Sequence, residues 1–254
     1  MNRFIVSYSG GLGSFAAAVC AIKKHGNKAV ELLFTDTKTE DEDLYRFLAE
    51  TQKALDVRLT TIADGRNIWE VFRDVKFHGN SRIDPCSRVL KRELFRKHIE
   101  QNCQIDSTII VFGIGSSESH RMTAIKQNWN PWQTWAPLIE NQMTKEQILD
   151  LLDDYKIQPP RLYDLGFSHN NCGGFCVKTG QKQMKLLFEK LPERYAYHEQ
   201  EQEKLFDALG KRHGFIKKTI NGEMKYLTLK EFREMLERGE KAELYNQEGC
   251  GCFV

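Results

Sequence analysis

Short apolar runs alternate with amphipathic stretches through the first half of the chain. Residues 3–8 read as a strand, 14–25 as a helix with Ser14 as its expected N-cap, and 29–35 (AVELLFT) as a second apolar strand. An acid-rich helix start at 39–55, a strand at 57–62, a helix near 66–75 and a basic amphipathic helix over 86–101 follow. The strongest strand pattern comes next, STIIVFGIG at 107–115. Strands separated by helices of this length predict a parallel sheet, because parallel neighbours need a long connection that packs back over the sheet. The expected fold class is α/β: a doubly wound, mostly parallel, Rossmann-like sheet with ligand at the C-terminal strand ends.

The pattern changes after residue 128, where WNPWQTWAPLIE is aromatic and irregular. Residues 144–155 predict a helix opened by Thr144, PPRLYDLGFSHNNCGGFC reads as a long loop, and 178–210 is helical. A small polar unit turning at Asn221-Gly222, a last helix at 228–239 and the ending EGCGCFV complete the chain, with no internal repeat or low-complexity tract. These textures divide it into an α/β domain at 1–135 and a mainly helical region with a Cys-rich loop and tail at 136–254.

With 254 residues, 41% apolar and 28% charged, the chain can bury a full core. A net charge of +2 makes no strong electrostatic case for nucleic acid, which stays open as a partner. One local cluster, Arg82, Arg88, Lys91, Arg92, Arg96 and Lys97, suits a phosphorylated ligand and equally a solvated helix face. The first residues lack a signal-peptide pattern, and no apolar run approaches the roughly 18 residues of a membrane span. A cytoplasmic protein without membrane contact is therefore expected. The seven cysteines are then reduced thiols, ligands or nucleophiles rather than disulfides.

Ser9-Gly10-Gly11-Leu12-Gly13-Ser14 lies between a strand and a helix, an arrangement that presents backbone N–H groups to phosphate. Gly11, Gly13 and Ala16 satisfy G-x-G-x-x-A, and Asp36 falls where a ribose-binding acid is expected in a dinucleotide fold. Against that reading, Ser7, Tyr8 and Ser9 supply hydroxyls better suited to several phosphate oxygens. No G-x-x-x-x-G-K-[ST] is present, which excludes the Walker loop. The segment also resembles the PP-loop, S-G-G-x-D-S, of the ATP pyrophosphatases, with Gly13 at the position of the family's Asp.

Four further segments extend that resemblance in the expected order. Leu33-Phe34-Thr35-Asp36-Thr37-Lys38-Thr39-Glu40 is similar to "FxDTGxE", Pro85-Cys86-Ser87-Arg88-Val89-Leu90-Lys91 to "CCxxxK", and Gly113-Ile114-Gly115-Ser116-Ser117-Glu118-Ser119-His120-Arg121 to "GIRxxES.xR". Ala136-Pro137-Leu138-Ile139, the Thr144 helix, Leu162 to Ser168 and Cys172 are similar to "PLxxWtxxdVwxYl…plYdlGfsxxGCxxC". Together they cover roughly residues 5 to 180 and resemble the phosphoadenosine phosphosulfate (PAPS) reductase-like branch of the adenine nucleotide α-hydrolase superfamily. The resemblance implies PAPS, its 3′-dephosphorylated analogue APS, or ATP as ligand. It assigns phosphate binding to Ser7, Ser9, Gly10, Gly11, Gly13 and Ser14. Asp36 would meet ribose or adenine, or help hold Mg²⁺ if the ligand is ATP, and Gly113 and Glu118 would join the nucleotide site. Arg88, Lys91 and Arg121, with His120 beside them, would neutralise phosphate or sulfate, Lys91 and Arg121 taking part in catalysis. Plainer roles stay open: Asp36 as a loop cap, Glu118 and Arg121 as an i,i+3 ion pair, His120 as a bystander.

Cys172 and Cys176 form C-x3-C, and Cys250 and Cys252 form C-x-C, enough thiolates for Zn²⁺ or a [4Fe-4S] cluster. Cluster-bearing relatives use a "CC" and a "CxxC". Here Cys86 stands alone and the second spacing has one extra residue, so Cys250 or Cys252 would complete the set; the plain alternative is reduced loop thiols. The tail has a competing role. Sulfonucleotide reductases attack the activated sulfate with a C-terminal Cys in an "ECGxH"-like ending, and Cys250 or Cys252 would be that nucleophile, although no His follows. Cys20 and Cys103 read as ordinary residues.

The resulting expectation is a sulfonucleotide reductase-like enzyme, served by a thiol electron donor such as thioredoxin or by a sulfur donor. One alternative is an ATP pyrophosphatase that adenylates a substrate for sulfur or nitrogen transfer, for example in nucleic-acid modification. Another is a non-catalytic nucleotide- or metal-binding regulatory or defence module. A homodimer is left open.

Overall fold

The computed structural model describes residues 2–243. Five parallel strands, β1 (Arg3–Ser7), β2 (Val30–Asp36), β3 (Arg58–Ala63), β4 (Thr108–Val111) and β5 (Gln133–Trp135), form one sheet in the order β3-β2-β1-β4-β5. The register pairs Phe4 with Val30 on one side of β1 and with Ile109 on the other. Between the strands run α1 (Leu12–His25), α2 (Glu42–Leu55), α3 (Ile68–Asp74), the short α4 (Pro85–Ser87), α5 (Leu94–Asn102) and α6 (Arg121–Trp129).

Both faces of the sheet's centre are covered, which is why β1, β2 and β4 carry apolar runs. Side chains alternate along each strand. Phe4, Val6, Leu32 and Phe34 join a core with Phe15 of α1 and Phe47 of α2. Ile5, Leu33 and Ile110 join the opposite core with Phe95 and Ile99 of α5 and Trp129 of α6. Chain order reverses between β1 and β4, so the connections after those strands lie on opposite faces and leave a crevice at their C-terminal ends. The doubly wound α/β fold is therefore present.

Several boundaries differ from the sequence reading. α1 starts two residues earlier than expected, with Gly11 rather than Ser14 as N-cap. Ser14 lies inside the first turn and donates from Oγ to the Gly11 carbonyl at 2.9 Å. The 107–115 strand is four residues long, because Gly113 makes a close backbone contact beyond it. Strand β5 sits in the segment read as irregular; three residues show no usable periodicity. The basic 86–101 helix is interrupted by a π-helical turn, Arg88–Glu93, joining α4 to α5.

Beyond β5 come α7 (Pro137–Glu140), α8 (Lys145–Asp154), α9 (Arg161–Asp164), α10 (Gln181–Lys190) and α11 (Pro192–Leu209). The hairpin β6 (Ile216–Ile220) and β7 (Glu223–Leu227) turns at Asn221 and Gly222, both at positive φ, and α12 (Leu229–Glu237) follows. Thr144 and Thr228 each close a capping box, as their spacing to Gln147 and Glu231 requires. Leu138 and Leu152 join the α1 core, whereas Phe175, Met184, Tyr195 and Phe232 form another core with Ile68, Trp69 and Phe72 of α3. Among the described residues, no helix is long and apolar enough to cross a membrane.

Candidate active site

The glycine loop sits where β1 ends and α1 begins, beside the β1/β4 crevice. Intrahelical bonding begins with Phe15 N–H donating to the Gly11 carbonyl at 3.1 Å, and among the described residues the Gly13 and Ser14 amides before it have no partner, whereas Leu12 N–H donates to a side chain. No acid stands in the first turn and the N-cap has no side-chain bond, leaving the positive end of the helix uncompensated. Ser14 Oγ accepts from Ser9 N–H at 3.3 Å and lies 3.3 Å from Ser9 Oγ, closing the loop on itself. Ser7, Ser9, Gly10, Gly11, Gly13 and Ser14 are thus gathered in one turn.

Gly13 owes its identity to packing. A Cβ there would lie 2.6 Å from the Gly113 carbonyl oxygen, and a Cβ at Gly113 would lie 2.5 Å from the carbonyl carbon and oxygen of Gly13 and the amide nitrogen of Ser14. The start of α1 therefore crosses the end of β4 backbone to backbone. The Asp usual in a PP-loop has no room in this arrangement, whatever its charge would contribute.

The other nucleotide-site candidates divide. Asp36 is 3% exposed and accepts from Lys38 N at 2.8 Å, Lys38 Nζ at 2.7 Å and Tyr45 Oη at 3.0 Å. Burial works against its charge, but these bonds from Lys38 and Tyr45 prevail and hold its carboxyl below the usual range. Both Asp36 oxygens are already engaged. Glu118 and Arg121 form an ion pair, while His120 is exposed. Arg88 is 56% exposed and stands 3.6 Å from Glu93, on the outer side of its helix. Lys91, three residues on, is 4% exposed. The π turn places this one lysine of the basic segment inside the protein.

Cys86, Cys172, Cys176 and Lys91 line one cavity of about 20 Å³, together with Asp84 and Lys178. Lys91 Nζ lies 3.6 Å from Glu40 Oε1, and Glu40 is buried as well. Burial pulls the Lys91 ammonium down, but Cys172, Glu40, Cys176 and Cys86 outweigh it and hold its pKa above the ordinary value. Burial pushes the Cys86 thiol up to about 12 and raises Cys172 and Cys176 as well. All three are therefore protonated, weakly reactive thiols at neutral pH.

Cys172 and Gly173 adopt left-handed backbone, at φ 51° and 57°. This conformation is costly for a cysteine, and Glu40 holds it by accepting the Cys172 N–H at Oε2, 2.5 Å away. Among the described residues, no group of three or more His, Cys, Asp or Glu is placed to hold a metal ion. Lys91 shares the cavity with these thiols, and the described residues alone do not supply the zinc or iron–sulfur ligand set that was expected. Cys250 and Cys252 lie outside the described residues.

Three important positions carry little sequence signal. Glu40, read as part of a motif but given no role, bonds Thr37 Oγ1 at 2.9 Å and ties the β2 end to Lys91 and Cys172. Asn170 donates from Nδ2 to the Gly10 carbonyl at 3.2 Å, and Tyr163 Oη accepts from Leu12 N–H at 3.3 Å. His169, beside them, is pulled down to about 4 by burial and then by Lys91, so its ring is neutral. Nothing in residue spacing links positions 163–172 to 10–12; the folding of the second half over the sheet does. A separate open cleft of about 600 Å³ flanks the β2 end, lined in part by Lys38, Glu40, Arg161, Arg194 and His198.

The family model of the phosphoadenosine phosphosulfate reductase domain matches residues 3–214. No curated protein matches the chain. Among solved structures, it is similar to the phosphoadenylyl-sulfate (PAPS) reductase of Candida auris in its phosphate complex, at 15% identity and a TM-score of 0.47. That likeness covers 66% of this chain and 80% of the other. It is also similar to a predicted subunit of tRNA methyltransferase from Methanocaldococcus jannaschii, at 19% identity and a TM-score of 0.39, over 60% of this chain and 75% of that one.

Proposed function

The chain belongs to the phosphoadenosine phosphosulfate reductase domain family, and from that membership we propose that it is an enzyme that binds PAPS or APS through the Ser9–Ser14 loop and reduces the activated sulfate. The observation that carries this reading is the loop at the uncompensated N-terminus of α1, set at the β1/β4 crevice with the Gly13 and Ser14 amides left without a partner among the described residues. A polyanionic phosphate group meets both the partial charge and the hydrogen-bonding demand there.

In the proposed reaction a cysteine thiolate attacks the sulfur atom of the sulfate group. The bond between that sulfur and the phosphate-bridging oxygen breaks, and the adenosine phosphate leaves. A second thiolate attacks the Sγ of the resulting cysteine S-sulfonate, the bond from Sγ to the sulfonate sulfur breaks, and a disulfide forms as sulfite leaves, so two thiols supply the two electrons. Burial and the raised thiol pKa values argue against Cys86, Cys172 or Cys176 as the attacking group. Cys250 or Cys252 takes that role, and an external dithiol of the thioredoxin kind regenerates it. Lys91 and Glu40 hold the Cys172 turn against the β2 end, while the α1 amides stabilise charge on the departing phosphate.

Incubation with PAPS, APS and ATP separately, each with a dithiol reductant, tests the assignment. Sulfite with an equivalent of adenosine phosphate from PAPS or APS is expected. Pyrophosphate and AMP from ATP would move the protein to the adenylating class, and no product from any of the three would refute an enzyme of either kind.

A further inference from the structure

Tyr163 belongs to α9, far from the glycine loop in sequence, yet its hydroxyl oxygen accepts the Leu12 N–H from the first turn of α1 at 3.3 Å. A phenol oxygen that accepts from an amide still has its own proton to donate. No hydrogen bond donated by this hydroxyl is present among the described residues.

The position of the unused proton is narrowly set. A Cβ built on Gly11 would lie 3.1 Å from Tyr163 Oη, so the hydroxyl stands directly over the N-cap of the loop. Asn170, 1% exposed, anchors the same segment by its Nδ2 bond to the Gly10 carbonyl, while its own Oδ1 has no partner. Burial raises the Tyr163 pKa, which keeps the proton on the oxygen at neutral pH.

We propose that Tyr163 is a phosphate-binding residue, its hydroxyl donating to a phosphate oxygen seated on the glycine loop while the Leu12 amide fixes the direction of the donation. This rests on the loop being the nucleotide phosphate site. It gives that site a neutral donor supplied by the segment that also carries Cys172, so a bound phosphate is held from both halves of the chain.

Calorimetric titration of wild type and Tyr163→Phe with inorganic pyrophosphate and with adenosine 3′,5′-bisphosphate tests it. Removing a donor to a charged oxygen is expected to weaken both about 10- to 100-fold, and 4-aminophenylalanine at position 163, which keeps a donor, should recover most of the loss. Equal affinities in wild type and Tyr163→Phe, or no recovery with the amino variant, would overturn the role of Tyr163 and leave the phosphate site standing. A wild-type chain that binds neither probe would overturn the site itself and this role with it. Should Tyr163→Phe not fold, wild-type protein labelled with ¹³C at the tyrosine Cζ decides. Its Tyr163 resonance is expected to move on saturation with pyrophosphate, and an unmoved resonance in the saturated complex overturns the proposal.

Discussion

Gly13→Ala sets two physical effects of opposite sign against each other. Alanine is the better helix former, by about 1 kcal/mol in a helix interior and less in a first turn. Its Cβ, however, would lie 2.6 Å from the Gly113 carbonyl oxygen, whereas ordinary contact begins at 3.4 Å. The backbones must therefore separate by about 0.8 Å, and the obstacle is a main-chain carbonyl rather than the end of a flexible side chain. Overpacking of this kind costs about 1–3 kcal/mol. The net expectation is a loss of about 1–2 kcal/mol, or a Tm lower by roughly 3–6 °C for a chain of this size. Weaker pyrophosphate binding should accompany it, since the strain falls on the loop amides. Urea unfolding followed by far-UV circular dichroism reads the stability. Gly115→Ala, whose Cβ would meet nothing within 4 Å, is the control and should change stability by less than about 0.5 kcal/mol. A Gly13→Ala protein more stable than wild type, as propensity alone requires, would refute the close-contact argument. Gly13→Asp should be worse than Gly13→Ala, because it adds a carboxylate beside the same carbonyl.

Lys91→Met leaves buried Glu40 without its cation and should cost about 3–5 kcal/mol in urea unfolding, partly recovered in the Lys91→Met/Glu40→Gln pair; a loss under 1 kcal/mol contradicts a buried ion pair. Cys172 and Cys176 should react with a soluble disulfide reagent at pH 8 far more slowly in native than in urea-unfolded protein, and mass mapping that finds them among the first thiols modified would rule out their burial. His78, enclosed by Trp69, Phe72, Phe206 and Phe215, is pulled down from 6.5 to about 4 by burial. Below about pH 6.5 the unfolded chain binds a proton that the folded chain refuses, so stability should fall by up to roughly 3 kcal/mol by pH 4 and then level for this group. His78→Phe should remove that part of the fall, and an unchanged pH profile would show that His78 does not carry it.

The strands, the helices of the first half and the glycine loop are legible in the chain because each is a local pattern. Apolar runs need only their own residues to identify them, and the capping boxes at Thr144 and Thr228 are read from residues three apart. Strand β5 escapes this reading because three residues carry no period, and the π turn because its basic residues fit an ordinary amphipathic helix equally well. Arg88 and Lys91 show the limit most clearly. They sit three residues apart with similar chemistry, yet one is solvent-exposed and the other is enclosed with three thiols.

By itself the sequence determines an α/β sheet with a glycine loop after its first strand, since hydrophobic period and glycine spacing are properties of contiguous residues. Tertiary structure alone decides why residue 13 is glycine, which cysteines share a cavity, and which tyrosine faces the loop. Each of those depends on backbones or side chains brought together from about 85 to 150 positions apart, a relation set by how layers pack and not by any local pattern.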